Sequence, residues 1–470
     1  MMSRTIAGLT RNSRPAEVPG RRGDRRAYSV AMRRAGLALL FVCAVAHANG
    51  RPPLTNGIHF KPGDPHSMYV ATTFGLLVSH DDGCTVQWVC EANIGYGGTW
   101  DPKYAIASDG TIFATTFTGL RVSRDGGCSF TTATSELAAG SPNRIADIWI
   151  DALDIGPTGD VWVGTAESGQ PNDVYVSGDN GVSFSPKGLQ SATIFWKSVK
   201  VAPSNMSRVY VSGYEVATPT AHVMHTDNGG GTWMPSAMTN VQYGSTPITL
   251  VAAIDPVNPD IVYLISQGAA QQGDKLYRST DAGGMWTEVL STTGPISSVV
   301  IRDAQTVFVT TMMQSGMTFI GGPTYQSTTA GVVFDMLSNA PQLACLGIAP
   351  GGDLIGCGAN WQPDFKAVAR SKDGAASFDK VWRFVELAGP LQCPAGTAEE
   401  DLCDQAMWQN LKAQFGATGP TCGANVVPDS PGDGTVPPKK PGGCCDTGGA
   451  PGGLVFAGAI ALWLARRRHS

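Results

Sequence analysis

The densest run of binding chemistry is Asn93-Ile-Gly-Tyr96-Gly-Gly-Thr-Trp100-Asp101-Pro-Lys-Tyr104. Aromatics spaced by glycines can stack on a sugar face or grip a peptide, and the carboxylate can accept hydrogen bonds from the same ligand. A second candidate, Ile194-Phe195-Trp196-Lys197, sets an aromatic beside a cation. Tyr96, Trp100, Asp101, Tyr104, Trp196 and Lys197 therefore form the expected ligand-binding set. Asp101, Asp147, Asp151 and Asp154 could supply the paired carboxylates of glycoside hydrolysis, but turn and loop acceptors are the simpler account of them. The chain contains no G-x-S-x-G elbow, phosphate loop or dinucleotide fingerprint. No catalytic residue and no cofactor are assigned. No metal centre is expected either: there is no CxxC pair, and on a strand His222 and His225 point to opposite faces.

What positions these residues is a repeat. The pattern S-x-D-x-G-x-[ST]-[FW] begins at Ser79, Ser123, Ser177, His225, Ser279, Ser327 and Ser371, at spacings of 44, 54, 48, 54, 48 and 44. Ser123-Arg-Asp125-Gly-Gly127-Cys-Ser129-Phe130 and Ser177-Gly-Asp179-Asn-Gly181-Val-Ser183-Phe184 are complete copies. The first copy ends in Val86, and the fourth is read with an extra glycine around Asp227. The sixth has Thr329 for the aspartate and the seventh Ala375 for the glycine. Such an octapeptide suits a hairpin turn. The aspartate (Asp81, Asp125, Asp179, Asp227, Asp281 or Asp373) accepts turn N–H bonds, the glycine takes positive φ, and the aromatic packs beneath.

Upstream of each copy lies an alternating strand that ends at a turn, such as Asp154-Ile155-Gly156-Pro157 or Ala253-Ile254-Asp255-Pro256. A second strand follows the turn, a third enters the octapeptide and a fourth leaves it. Four strands in each of seven repeats predict an all-β, seven-bladed β-propeller over 49–390. Blade 1 begins at Gly57 and blade 7 ends near Val385, so the ring is expected to close without a borrowed strand.

The octapeptide resembles the Asp-box, or BNR, repeat of sialidase-like propellers. The resemblance implies that the aspartates are structural and that ligands bind near the axis. It also raises a glycoside hydrolase as the alternative function. The [FY]-R-I-P segment that sialidases place before blade 1 is absent; Arg51-Pro-Pro-Leu-Thr-Asn-Gly-Ile-His-Phe60 stands there, which argues against an exo-sialidase.

Charged residues make up 15% of the chain, and the charge is uneven. Residues 1–34 carry nine arginines against Glu17 and Asp24, a net of +7, whereas 49–443 carry 21 basic and 35 acidic side chains, a net of −14. A body this acidic repels phosphate, so no nucleic-acid partner is expected.

The two ends read as addresses. Arg33-Arg34, the apolar run 35–46 and Ala46-His47-Ala48 describe a secretory signal peptide over 1–48, with Met32 as an alternative start. A Cys-containing segment with a helix over Asp401–Phe415 fills 391–424, and a Pro/Gly linker fills 425–443. Cys444-Cys445, an uncharged stretch and Arg466-Arg467-Arg468 follow. This order resembles the MYXO-CTERM sorting tag of myxobacterial surface proteins. It implies export machinery as a partner, a transient C-terminal transmembrane-type helix, processing at Cys444 or Cys445, and a cell-surface location.

Without Cys43, Cys444 and Cys445, eight cysteines remain, an even count that suits an oxidising compartment. Cys345 and Cys357 flank the Pro350-Gly351-Gly352 turn symmetrically and should pair across a hairpin. Cys393–Cys403 is the expected second pair. The whole reads as an exported, surface-anchored, monomeric propeller that binds a glycan or protein ligand.

Overall fold

The computed structural model describes residues 52–97, 100–133, 145–269, 272–315 and 318–420. The signal-peptide, linker and sorting-tag readings, with Cys444 and Cys445, lie outside the described residues. Among the described residues, no helix is long and apolar enough to cross a membrane.

Period-two alternation yields seven antiparallel sheets, each with four consecutive strands. The first strands, Thr55–Phe60, Tyr104–Ile106, Ile150–Ile155, Ile194–Ala202, Thr249–Ile254, Ile296–Ile301 and Cys345–Ile348, contact one another in ring order. The last touches the first, so the seven sheets are the blades of a closed propeller. Second strands such as Met68–Thr72, Ile112–Thr116 and Val161–Thr165 are buried along their whole length. A neighbouring blade covers each of their faces, so they are uniformly apolar or small rather than half polar.

The core is divided among the blade interfaces. Seven apolar clusters alternate with the blades, and the last residue of each octapeptide enters a different one: Val86, Phe130, Phe184, Trp233, Trp286, Phe334 and Phe378. All seven octapeptides occupy the turn between the third and fourth strands. In blade 2 the Ser123 hydroxyl donates to Asp125, Gly127 N–H donates to Ser123 Oγ, and Ser129 N–H donates to Asp125. The same bonds recur at Ser79/Asp81, Ser177/Asp179, Ser279/Asp281 and Ser371/Asp373. Thr329 substitutes for the aspartate in blade 6, accepting from Val333 N–H. Ala375 takes the glycine's place in blade 7 at φ 74°.

Blade 4 corrects the expected register. Thr226 Oγ1 donates to Asn228 and accepts from Gly230 N–H, and Thr232 N–H donates to Asn228. The motif is thus Thr226-Asp-Asn228-Gly-Gly230-Gly-Thr232-Trp233, with no insertion. Asn228 is the turn acceptor, and Asp227 pairs instead with Arg208. An amide oxygen accepts turn N–H groups as a carboxylate does, so the polar geometry outweighed the match to aspartate.

Closure of the ring also differs from expectation. After blade 7 the chain adds a short fifth strand, Gly389–Pro390, parallel to the outer strand of blade 1. It continues into a π-helical turn, Glu399–Asp404, and a helix, Trp408–Phe415. The expected single helix over 401–415 is therefore broken. Cys403 and Trp408 are both buried against blade 1, and five residues apart in an α-helix they would face about 140° away from each other.

The disulfides hold this segment down. Cys345 and Cys357 are directly opposed and bonded, as expected, with Cα atoms 4.8 Å apart. Cys393 and Cys403 are not partners. Cys90 bonds Cys403 and Cys128 bonds Cys393, across 313 and 265 residues. Nothing in the local spacing marks these partners, because folding alone brings blades 1 and 2 beside the returning segment. Cys84 is disulfide-bonded as well, and Cys422 lies outside the described residues.

Candidate aromatic pocket between blades 2 and 3

The chain reverses at every turn, so the octapeptides all lie at one end of the strands. The links from each blade to the next lie at the other end, with the turns between second and third strands. At that second end, the 91–102 link, the Thr116–Gly119 turn and the entry to blade 3 enclose a pocket of about 330 Å³.

Three rings dominate it. Phe117 lies 5.0 Å from Trp149, and Trp100 lies 6.2 Å from each of them. Trp100 and Phe117 remain 46% and 45% exposed, which is unusual for side chains this large and apolar. The corresponding turn of blade 1 carries Phe74, and there the chain covers the ring itself. Phe384 and Phe415 of the C-terminal segment pack on it at 5.1 Å each. Blade 2 has no such cover among the described residues.

The loops are positioned by the backbone. Thr116 Oγ1 donates to Gly119 O and accepts from Thr118 N–H, which holds Phe117 at the tip. Trp149 N–H donates to Glu167, and Ala166 N–H donates to Trp149 O. Asn56 donates to Asp101, 2.7 Å away.

Beneath the rings the inner strands bring charges together. Asp151, only 6% exposed, is engaged by Lys197 and by Lys103, the latter at 3.2 Å. Lys197 Nζ also lies 5.6 Å and 5.9 Å from the Trp100 and Trp149 ring centres, a cation–π arrangement. Lys103 donates to the backbone oxygens of Asp151 and Lys197. Its side chain is 43% exposed, with the ammonium held by these oxygens and by the Asp151 carboxylate. Burial lowers its pKa to about 8; Asp151 opposes the shift, and Lys197 and Lys200 add to it. Further along the same two strands, Lys200 pairs with Asp154 at 3.0 Å. Burial, with Lys200 nearby, lowers His59 to about 4.

Of the expected ligand set, Tyr96, Trp100 and Asp101 line the pocket, with Lys197 over its rings. Tyr104 is 5% exposed and Trp196 1%, so neither offers a face to a ligand. Trp196 fills the interface of blades 3 and 4, where Gly164 and Gly213 leave it room; a Cβ on either would come within 2.9 Å of it. Of the acidic candidates, Asp151 lines the pocket and Asp154 is ion-paired, while Asp147 stands exposed on its loop. Phe117, Trp149 and Lys103 were not singled out by sequence. The available signal was an aromatic in a tight turn, Thr116-Phe117-Thr118-Gly119, and a tryptophan directly before a first strand. A second hollow, of about 200 Å³ between blades 6 and 7, is lined by Leu337 and by small and amide side chains and holds no titratable group.

No protein-family model matches the chain, and no curated protein does. Among solved structures it is similar to the GH74 enzyme of Niastella koreensis, with 15% identity over 69% of this chain and 65% of that one, TM-score 0.41. The aligned region is thus just under two thirds of that enzyme. YCF48 from Cyanidioschyzon merolae is similar at 13% identity over 65% of this chain and 92% of that one, TM-score 0.42. A protein of unknown function from Dyadobacter fermentans gives 14%, 56%, 91% and 0.38 in the same terms. At these values the likeness carries no argument about function, and the propeller assignment stands on the sheet topology alone.

Proposed function

We propose that this is an exported, surface-anchored Asp-box propeller that binds a glycan or protein ligand without transforming it, through the pocket of Trp100, Phe117 and Trp149. The observation that carries the reading is the exposure of Trp100 and Phe117 in a shaped hollow, while in the corresponding turn of blade 1 the chain buries Phe74, one position further on, under its own aromatics. Exposed rings over polar groups suit stacking with a sugar or an aromatic peptide side chain. Asp101 and Lys197 would fix the ligand's orientation. Export is supported by the basic-apolar leader and by the disulfides, which persist in oxidising compartments. Surface anchoring is supported by the order of linker, Cys444-Cys445, apolar stretch and terminal arginines.

The glycoside hydrolase reading draws on Asp101 and Asp151, which line the same pocket. It is disfavoured because Asp151 is taken up by two lysine ammoniums and Asp101 by Asn56, whereas glycoside hydrolysis needs two carboxyl groups free to face one bond.

The test is a glycan array and a peptide array probed with the purified protein, run beside a hydrolysis screen on the same glycans. Binding without turnover is expected, with a loss of tenfold or more in Trp100→Ala and Phe117→Ala at an unchanged melting temperature. Turnover abolished by Asp151→Asn would replace this reading with the hydrolase.

A further inference from the structure

The pocket loop begins at a buried polar cluster that the binding reading does not use. Its first residue, Cys90, is bonded to Cys403. One turn of helix follows, Glu91–Ile94, ended by Gly95 at φ 90°. Asn93, 2% exposed, projects from this turn into the gap between blade 1, blade 2 and the C-terminal segment. Its amide donates to Gly127 O at 2.9 Å and to Glu399 Oε2 at 2.8 Å. Glu399 is fully buried and also accepts from Cys90 N–H at 3.4 Å. Its own N–H donates to Cys128 O. Three ligand-type atoms of Cys90, Glu399 and Cys403 lie within 4.8 Å of one another, but both sulfurs are spent in the disulfide, so the cluster is a clasp and not an open cation site.

Two atoms of the clasp lack a partner: Glu399 Oε1 and Asn93 Oδ1. Both are acceptors, and buried acceptors left unpaired are costly. A proton on Glu399 Oε1 turns one of these orphan acceptors into a donor, on a group already bonded to Asn93. A carboxylate there would instead be a buried charge with no cation facing it. On its own turn Glu399 meets the like charge of Asp404; the other elements present the Asn93 amide and the backbone N–H groups of Cys90 and Leu391. Burial, opposed by the Asn93 and Cys90 hydrogen bonds, raises its pKa to about 8.

We propose that Glu399 and Asn93 are positioning residues for the aromatic pocket, clamping the first turn of its loop so that Tyr96 and Trp100 are presented from a fixed base. This rests on the pocket being the binding site, but the clamp can be tested without any ligand. The C-terminal segment then has two tasks: it closes the ring and it sets the pocket loop. The proton on Glu399 makes the second task sensitive to pH.

The experiment uses the full chain and two readouts. One is hydrogen exchange of the Ile94, Gly95 and Tyr96 amides, which donate to Cys90 and Glu91 oxygens. The other is the ¹⁹F resonance of 5-fluorotryptophan at Trp100, assigned with Trp100→Phe. Glu399→Gln, which keeps the shape and a donor without the charge, should match the wild-type protein at pH 7. Glu399→Ala should exchange at least tenfold faster at these amides and shift the Trp100 signal, and Asn93→Ala, which removes the other half of the clamp, should do the same. Above pH 8 the wild-type protein should drift toward the Ala variant while Glu399→Gln stays flat. A purely structural role would move melting temperature without this pH profile. Folded Ala variants that exchange like wild type would overturn the proposal, as would a Gln variant that behaves like Ala.

Discussion

Asn228 shows how a single side chain decides a local register. It accepts the Thr226 hydroxyl and the Thr232 N–H, while its neighbour Asp227 reaches sideways to Arg208. Asn228→Ala should therefore destabilise the protein by about 0.5–1.5 kcal/mol for each of the two bonds lost. Asp227→Ala removes a half-exposed ion pair and should cost about 0–1 kcal/mol. Paired denaturant titrations check the order, and the reverse ranking would restore the register built on Asp227. Lys103 makes a different residue-scale prediction. Burial lowers its pKa from 10.5 to about 8, so between those values the unfolded chain binds more protons than the folded one. Stability gains a component that rises with pH across that window and is lost below it. Lys103→Met should flatten the melting profile between pH 8 and 10.5.

At the scale of elements, the segment after blade 7 does what a shared strand does in other closed rings. Its fifth strand, two long-range disulfides and Trp408 against Trp88 join the last described residues to blades 1 and 2. Cys128→Ser with Cys393→Ser removes a crosslink between residues 265 apart in the chain and should destabilise the protein on the order of 2–5 kcal/mol. Cys90–Cys403 encloses that bond, and while either crosslink remains it restrains the ends of the other, so removing both should cost more than the two single removals added together. Calorimetry of the two double variants and of the quadruple variant tests this, and simple additivity would refute it. These pairings were not legible in the chain. Cys345 and Cys357 were, because a hairpin turn between them sets their register within a dozen residues. Cys90 and Cys128 meet their partners only after seven blades have closed, and no local pattern carries that information.

For the whole molecule, the repeat sets a symmetric ring and the charged residues break the symmetry. Lys103, Asp151, Asp154, Lys197 and Lys200 gather on the inner strands of blades 2 to 4 or directly before them, whereas the inner strands of blades 5 to 7 carry no charged side chain. Ligand specificity should follow that sector. Substitutions in the octapeptides, such as Asp281→Ala, should lower the melting temperature and leave binding intact, since those turns lie at the opposite end of the strands. Loss of binding by a folded Asp281→Ala protein would place the site on the wrong end.

The sequence by itself determined the number of blades, the four-strand repeat, the turns that hold the octapeptides and the Cys345–Cys357 bond. Each depends on residues close together in the chain, where period-two alternation and turn chemistry act directly. It also pointed to Tyr96, Trp100 and Asp101, because one loop carries them all. Only the tertiary structure brought Phe117 and Trp149 to Trp100, buried Trp196 between blades, neutralised Asp151 between Lys103 and Lys197, and set Glu399 beneath the pocket loop. Those contacts join separate blades, and in a propeller such neighbours are chosen by how the blades pack around the axis, a relation that spacing along the chain does not record.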